Sequence, residues 1–325
     1  PSPCVVGYID NIGETIDFSS ILHDHNRWLR HAEGERESAM AKKDDPVVRL
    51  YRACDPTESL GPDDPRYVNC DVVRGENLAG RFAQRFRRAD PAKPQFTLFA
   101  GHLGIGKSSE LRRMKKDLEQ PGRGKTGRFK VVLIDVTESL DLKDLDFPDL
   151  LVFAAGQVQK QLREDRVPGF DPETQLMKKV WEDVRNTLGA SVALKGAGVK
   201  FGFLSLATEI KNRPNARGKL RNAIEQQSTN LLAAVNDMLS KARAGLRKAK
   251  YQGLVLIVDG LEKVPQHETD IRGIDTHQRL FVNRRTQLAG LEVHTVYTVP
   301  ISLYYSPECA QLEEVFGEFS IPLPM

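Results

Sequence analysis

The stretch that decides the fold is Gly101-His102-Leu103-Gly104-Ile105-Gly106-Lys107-Ser108, which matches the pattern G-x-x-x-x-G-K-[ST] at every fixed position. The apolar residues 96–100 before it predict a buried strand, and residues 109–114 after it predict the first turns of a helix. A chance glycine-rich turn is the alternative, but such a turn has no need of a strand on one side and a helix on the other. The context therefore favours a phosphate-binding loop.

The chemistry of this loop follows from its residue types. Glycines let the backbone wrap closely around a polyphosphate, and successive N–H groups together with a helix N-terminus attract negative charge. We expect Lys107 to reach the β- and γ-phosphates of a nucleotide, and the Ser108 hydroxyl to bind Mg²⁺. The predicted nucleotide-binding residues of the loop are Gly101, His102, Leu103, Gly104, Ile105, Gly106, Lys107, Ser108 and Ser109.

The composition is that of an ordinary water-soluble protein. The 325 residues are 40% hydrophobic and 28% charged, which suffices for one large domain or two. The net charge of +3 is too small to imply a nucleic-acid partner by itself, and no apolar run approaches the roughly 20 residues that span a bilayer. Four widely separated cysteines without a C-x-x-C pair indicate free thiols, so we expect a cytoplasmic protein without membrane partners.

Apolar runs alternate with segments of helical periodicity along most of the chain. Strands are predicted at residues 96–100, 129–136, 254–259 and 293–299, and helices at residues 76–88, 106–118, 145–162, 173–188, 216–250 and 276–289. This alternation predicts an α/β fold with a parallel sheet covered by helices on both faces. A β-hairpin at residues 191–204 and the long helix 216–250 are predicted to form an insertion at about residues 140–250.

Three segments are predicted along the chain. Residues 1–45 form an N-terminal extension and linker, residues 46–93 a helical segment before the core, and residues 94–325 the core that contains the loop. In the middle segment Leu78, Phe82 and Phe86 are spaced to share one face of an amphipathic helix.

A second motif supplies a carboxylate for the metal. The apolar residues 255–258 followed by Asp259 match the Walker B pattern, in which a buried strand delivers a carboxylate to the edge where open α/β sheets bind ligands. We therefore predict Asp259 as a magnesium ligand and as part of the catalytic site. The alternative is an aspartate that caps the turn after its strand.

Two further candidate catalytic residues lie near these motifs. Glu262, three residues after Asp259, is a candidate general base, and it is equally well explained as a structural acid paired with Lys263 or Arg285. Thr298, in the fourth predicted strand, is a candidate contact of the γ-phosphate or of the attacking water. Threonine also simply suits a β-strand, which is the alternative for this residue.

Six arginines are candidates for a phosphate-facing or trans-acting finger, and a surface charge or a structural ion pair explains each of them more simply. They are Arg66, Arg74, Arg217, Arg221, Arg284 and Arg285. Basic clusters recur at residues 81–88, 112–116, 123–130 and 241–250. They lack regularly interleaved aromatic residues, so solvated helix faces explain them better than a nucleic-acid backbone does.

Together these residues resemble bacterial P-loop ATPases of the AAA+/STAND type, the signal-transduction ATPases with numerous domains. The resemblance rests on residues 96–111 and 255–264, with support from residues 64–68 and 297–300. It implies an ASCE/AAA+-like P-loop NTPase fold that uses ATP and Mg²⁺. It further implies a slowly hydrolysing switch that forms homo-oligomers when triggered and drives an effector or sensor protein, in many cases in bacterial signalling or antiviral defence.

The resemblance also carries expectations for individual positions. In that type the segment just upstream of the core often contacts adenine, which would fall here on the region of Tyr67, Val68 and Val72. The chain departs from the AAA+ pattern at Gly260, where many members carry the glutamate that polarises the attacking water. About 150 residues separate the two motifs, more than in a minimal AAA+ core. A DNA-associated AAA+ ATPase, similar to origin-recognition or transposition regulators, is the second reading.

Overall fold

The computed structural model describes residues 45–53, 55, 58–90, 93–122, 127–171, 174–188, 217–268 and 273–317. The chain divides into two compact units, residues 1–58 and residues 59–325. In the first unit the described part contains helix α1 (Pro46–Ala53). All but the last residue of the predicted extension 1–45 lies outside the described residues, and so does the predicted hairpin at 191–204.

The second unit contains strands and helices in alternation. Its strands are β1 (Phe96–Ala100), β2 (Arg128–Asp135), β3 (Tyr251–Asp259) and β4 (His294–Val299). Its α-helices are α2 (Asp71–Arg74), α3 (Leu78–Arg88), α4 (Lys107–Glu119), α5 (Phe147–Glu164), α6 (Gln175–Leu188), α7 (Arg217–Gln226), α8 (Ser228–Lys248), α9 (Arg285–Leu288), α10 (Ile301–Tyr304) and α11 (Cys309–Phe316). No helix of the described residues is long and apolar enough to cross a bilayer.

The four strands form one parallel sheet in the order β1-β4-β3-β2. In register, Phe99 of β1 lies opposite Thr298 of β4, and Asp135 of β2 lies opposite Asp259 of β3. Because all strands run in the same direction, their carboxyl ends share one edge of the sheet. Strand β4 separates the strand that leads into the glycine-rich loop from the strand that ends in Asp259.

Helices cover both faces of this sheet, as predicted. Side chains of β3 alternate between two cores: Val255 and Ile257 belong to the core that includes α3 and α4, whereas Leu256 and Val258 belong to the core that includes α5 and α8. Strands buried on both sides are near-continuous apolar runs, which explains why the buried residues 254–258 of β3 are all apolar.

The predicted long helix at 216–250 is wrong as a single element. Gln227 leaves helical geometry (φ −105°, ψ 12°) and divides the segment into α7 and α8. Helix α7 packs against α6, whereas α8 packs against both α6 and β3. Both helices also contact α5, and no proline or glycine stands at the break.

The predicted helix at 276–289 also differs from the structure. It contains a π-helix, Gln278–Asn283, followed by the short helix α9. Leu280, Phe281 and Val282 are consecutive and all buried. The π-turn is wider than an α-helical turn, so the element departs from the regular helix that the periodicity predicts.

Candidate functional site

The glycine-rich loop leaves β1 and enters α4 through two left-handed glycines. Gly104 has φ +76° and Gly106 has φ +92°, values that glycine adopts without the penalty that a side chain would bring. The Glu110 N–H donates to the Gly106 carbonyl at 3.0 Å and closes the first turn of α4. His102, Leu103 and Gly104 are exposed at the tip of the loop. The loop therefore presents a helix N-terminus at the carboxyl edge of the sheet.

Lys107 is the first residue of α4, and only 3% of the residue is exposed. Its ammonium group donates to the carbonyl of Gly101 at 2.9 Å and to the carbonyl of His102 at 2.8 Å. It also lies 3.2 Å from Oε1 of Glu262. These three acceptors match the three donors of an ammonium group. An anionic phosphate that reaches Lys107 would therefore compete with Glu262.

Asp259 ends β3 beside the same loop. Its carboxylate accepts hydrogen bonds from the Ser108 hydroxyl and from the Gly260 N–H. Burial raises the pKa of Asp259 to about 6, against the effect of the Ser108 bond, and the nearby charges of Glu262 and Asp135 raise this pKa further. A desolvated carboxylate with two acidic neighbours is stabilised by a nearby cation.

The Ser108 hydroxyl and the Asp259 carboxylate are thus in contact with each other and fit the donor set expected for Mg²⁺. No group of three or more acidic, histidine or cysteine side chains arranged to hold a metal occurs in the described part of the chain. Mg²⁺ in nucleotide sites is usually bound through one or two protein groups, with phosphate and water filling the remaining positions. The pair Ser108 and Asp259 suits that mode of binding.

The turn after Asp259 has a backbone conformation and a close environment that favour glycine at position 260. Gly260 has φ +88°, and a Cβ atom there would lie 2.7 Å from Cγ2 of Thr137 and 2.9 Å from Oδ1 of Asp135. The chain continues into a 3₁₀ turn, Leu261–Lys263, which brings Glu262 to Lys107. Among the described residues, the ion-pair partner of Glu262 is thus Lys107 rather than Lys263 or Arg285.

Thr298, on the neighbouring strand β4, stabilises this turn through a hydrogen bond. Its fully buried hydroxyl accepts a hydrogen bond from the Leu261 N–H at 3.1 Å and lies 3.5 Å from the Val258 carbonyl. Leu261 directly precedes Glu262, so the contact fixes the backbone that carries the acid. A direct contact of Thr298 with phosphate or water stays a prediction.

The segment before the core lies along α4. The Leu60 N–H donates to Ser109 Oγ at 3.2 Å, and Arg112 Nε donates to Ser59 Oγ at 2.9 Å. The hydroxyl oxygen of Tyr67 lies 3.5 Å from Oε1 of Glu110. Burial, together with the charge of Glu110, raises the pKa of Tyr67. Tyr67 is therefore close to the loop helix, and its contact with adenine stays a prediction.

The candidate finger arginines divide into three groups. Arg66 pairs with its neighbour Asp64, whereas Arg284 lies 2.6 Å from Glu225 and 3.6 Å from Asp146. Arg285 donates to the Val282 carbonyl at 2.8 Å. Arg74 alone of the four described side chains touches the glycine-rich loop. The side chains of the remaining two candidates, Arg217 and Arg221, lie outside the described residues.

Two acids in and around the site were missed by sequence reasoning. Asp135 ends β2 beside Asp259, and Glu110 lies one helical turn after Lys107 on α4. The first had a visible signal, since two neighbouring strands of a parallel sheet both end in aspartate.

The structure also shows what the basic cluster at residues 112–116 contacts. Its side chains bind Ser59, Asp71, Glu119 and Asp63 within the chain, which accounts for the cluster without nucleic acid.

The fold and this edge of the sheet define an α/β protein with a four-stranded parallel sheet whose loop, acids and lysine meet at the carboxyl ends of the strands. Neither a family model nor a curated protein sequence matches the chain.

Proposed function

We propose that the protein is an ATP- and Mg²⁺-binding switch of the AAA+/STAND-like P-loop NTPase class that hydrolyses ATP slowly. The observation that carries the proposal is the meeting of Lys107, Ser108, Asp259 and Glu262 at one edge of the sheet. The fully formed glycine-rich turn and the position of β4 between the two motif strands support the same assignment.

In this proposal the residues of the site bind the phosphates, hold the metal and accept the proton of the attacking water. Loop amides and the N-terminus of α4 bind the phosphates, and Lys107 donates to their oxygens. Ser108 and Asp259 would hold Mg²⁺, which neutralises charge on the phosphates during transfer. When phosphate replaces Glu262 as the partner of Lys107, the Glu262 carboxylate is released. It then accepts a proton from the attacking water.

Coupling to assembly and to an effector is the second part of the proposal. It rests on the resemblance of the two motifs to those of signal-transduction ATPases. In this proposal the nucleotide state controls the formation of a homo-oligomer, which in turn engages a partner or effector, in bacterial signalling or antiviral defence. Sedimentation of the protein with ATP and Mg²⁺, with ADP and without nucleotide tests this part. Identical sedimentation in all three conditions would refute it.

Nucleotide binding is tested by Lys107→Ala, with Lys115→Ala as the matched control. Lys115 is on the same helix but binds Glu119 at 2.5 Å and the Val131 carbonyl at 3.1 Å. We expect Lys107→Ala to weaken MgATP binding at least tenfold in calorimetry, because about one charge-assisted contact of 1.5–3 kcal/mol is lost. Lys115→Ala should bind as the unmodified protein does. Unchanged affinity in Lys107→Ala would refute a nucleotide site at this loop.

The assignment of Glu262 is tested by Glu262→Gln. The amide retains the shape of the side chain but cannot accept the proton, so turnover should fall by about 10²–10⁴-fold. Affinity for MgATP should not fall, because the variant removes the negative charge of Glu262, which competes with phosphate for Lys107. Phosphate release at an unchanged rate would show that Glu262 is not the base.

A further inference from the structure

A network of four charged side chains joins the short helix α2 to the helix that follows the loop. Arg113 donates from both terminal nitrogens to the two carboxylate oxygens of Asp71, each at 2.6 Å. Arg74 donates to Oε1 of Glu110 at 2.6 Å. All four side chains are at most one-fifth exposed. Pairs of this geometry and burial are held more firmly than exposed surface pairs.

Arg74 extends this network to the loop itself. Its second terminal nitrogen donates to the Ile105 carbonyl at 2.9 Å. A Cβ atom at Gly106 would lie 3.3 Å from the same nitrogen. The guanidinium group thus bridges α4 and the loop two residues before Lys107. A planar fork makes both bonds at once, whereas a lysine ammonium on a flexible stem does not reproduce that geometry.

Arg74 also compensates a charge that would oppose phosphate binding. Glu110 is buried on the same helix as Lys107, three residues later. Its Oε2 atom has no hydrogen-bond partner among the described residues, although it lies 3.6 Å from Arg113. A buried carboxylate this close to the loop makes the electrostatic potential there less favourable for a bound anion. The ion pair with Arg74 neutralises that charge.

We propose that Arg74 is a positioning residue of the nucleotide site. It holds the Ile105 peptide so that the following amides keep the phosphate-cradling geometry, and it cancels the charge of Glu110. Helix α2, which carries Arg74, thereby becomes part of the site. This inference rests on the proposed nucleotide-binding function.

The test uses Arg74→Lys, with Arg81→Lys as the matched control. Arg81 forms a comparable ion pair with Glu76 at 2.8 Å, but its side chain is 40% exposed, and the pair is formed within the helical segment before the core. Hydrogen exchange at residues 101–108 is measured without added nucleotide, followed by MgATP affinity and the melting temperature. Lysine retains the charge opposite Glu110 but loses the second bond of the fork. We expect loop exchange to accelerate and MgATP binding to weaken by about tenfold each, with little change in melting temperature. The control should change none of the three.

The possible failures are distinguishable. Unchanged loop exchange in Arg74→Lys would overturn the inference, whatever the nucleotide affinity. Faster exchange with unchanged affinity would overturn the claim that the contact serves nucleotide binding. Exchange that rises across the whole protein, with a matching drop in melting temperature, would make Arg74 a merely structural residue. An unmodified protein that binds no MgATP would refute the proposed function, and the role of Arg74 would fall with it.

Discussion

Gly260→Ala tests the turn on which the arrangement of the site depends. Gly260 has φ +88°, and an added Cβ atom would lie 2.7 Å from Cγ2 of Thr137 and 2.9 Å from Oδ1 of Asp135. Thr137 cannot simply move aside, because its N–H and its hydroxyl both donate to Asp135 Oδ1, at 2.9 Å and 2.6 Å. The variant must therefore either change the backbone after Asp259 or break the 3₁₀ turn Val136–Glu138 that follows β2 and is capped by Asp135.

The expected cost has two parts. A left-handed conformation costs an L-residue about 1–2 kcal/mol, and forcing a group into a packed site costs about 1–3 kcal/mol more. The free energy of unfolding should thus fall by about 2–5 kcal/mol. ATP turnover should fall as well, because the same turn carries Glu262.

Gly75→Ala is the control for this prediction. Gly75 has a similar φ of +78°, but no described atom lies within 4 Å of the position of its added Cβ. It should lose only the conformational part, about 1–2 kcal/mol. Urea unfolding followed by circular dichroism gives both values. Equal losses in the two variants would show that the turn tolerates a Cβ atom, and the steric reason given for glycine at position 260 would be wrong.

Three further predictions concern the sheet and the metal. Burial, with a smaller effect of Arg243, lowers the pKa of His294 from 6.5 to about 4; the unfolded chain therefore takes up the proton first, and the stability present above pH 6.5 should decline by up to about 3 kcal/mol as the pH falls toward 4. In urea unfolding measured across this pH range, the free energy of unfolding of His294→Phe should depend less steeply on pH. An unaltered pH dependence in this variant would assign the effect to another group. Tyr297→Phe should cost about 1–3 kcal/mol of unfolding free energy, because the buried hydroxyl donates to the Leu288 carbonyl at 2.8 Å; a negligible loss would show that this carbonyl finds another donor. Removal of Mg²⁺ by a chelator should weaken ATP binding markedly in calorimetry, and equal affinity without the metal would contradict the role given to Asp259.

The sequence predicted the local elements of the site well because each has a strong local cause. The glycine-rich loop needs its glycines at fixed positions, and the strand before Asp259 is apolar because it is buried on both faces. Strand and helix positions around the loop agree with the structure to within about two residues, the usual uncertainty at element ends. The break at Gln227 was not predictable, since no proline or glycine marks it in the sequence.

The contacts that organise the site could not be predicted from sequence alone. The distance from Lys107 to Glu262 depends on the turn at Gly260 and on the bond from Leu261 to Thr298, which join residues on different strands. Arg74 was one of six candidate arginines, and nothing in its local sequence distinguishes it from the others. Its role emerges only when α2 is placed against α4.

The charges at the carboxyl edge suggest an order of events for the proposed reaction. Asp259 lies close enough to Asp135 and Glu262 for their charges to raise its pKa, and Glu262 is paired with Lys107, so a polyanionic nucleotide without a metal would be repelled by these acids. Mg²⁺ bound at Asp259 would remove that repulsion and let phosphate compete for Lys107. Since Glu262 pairs with the same lysine, in the proposed reaction it would become available to water only after phosphate had replaced it at Lys107. A base that is released by substrate binding, and is not free beforehand, suits a slow, assembly-coupled switch better than a fast motor.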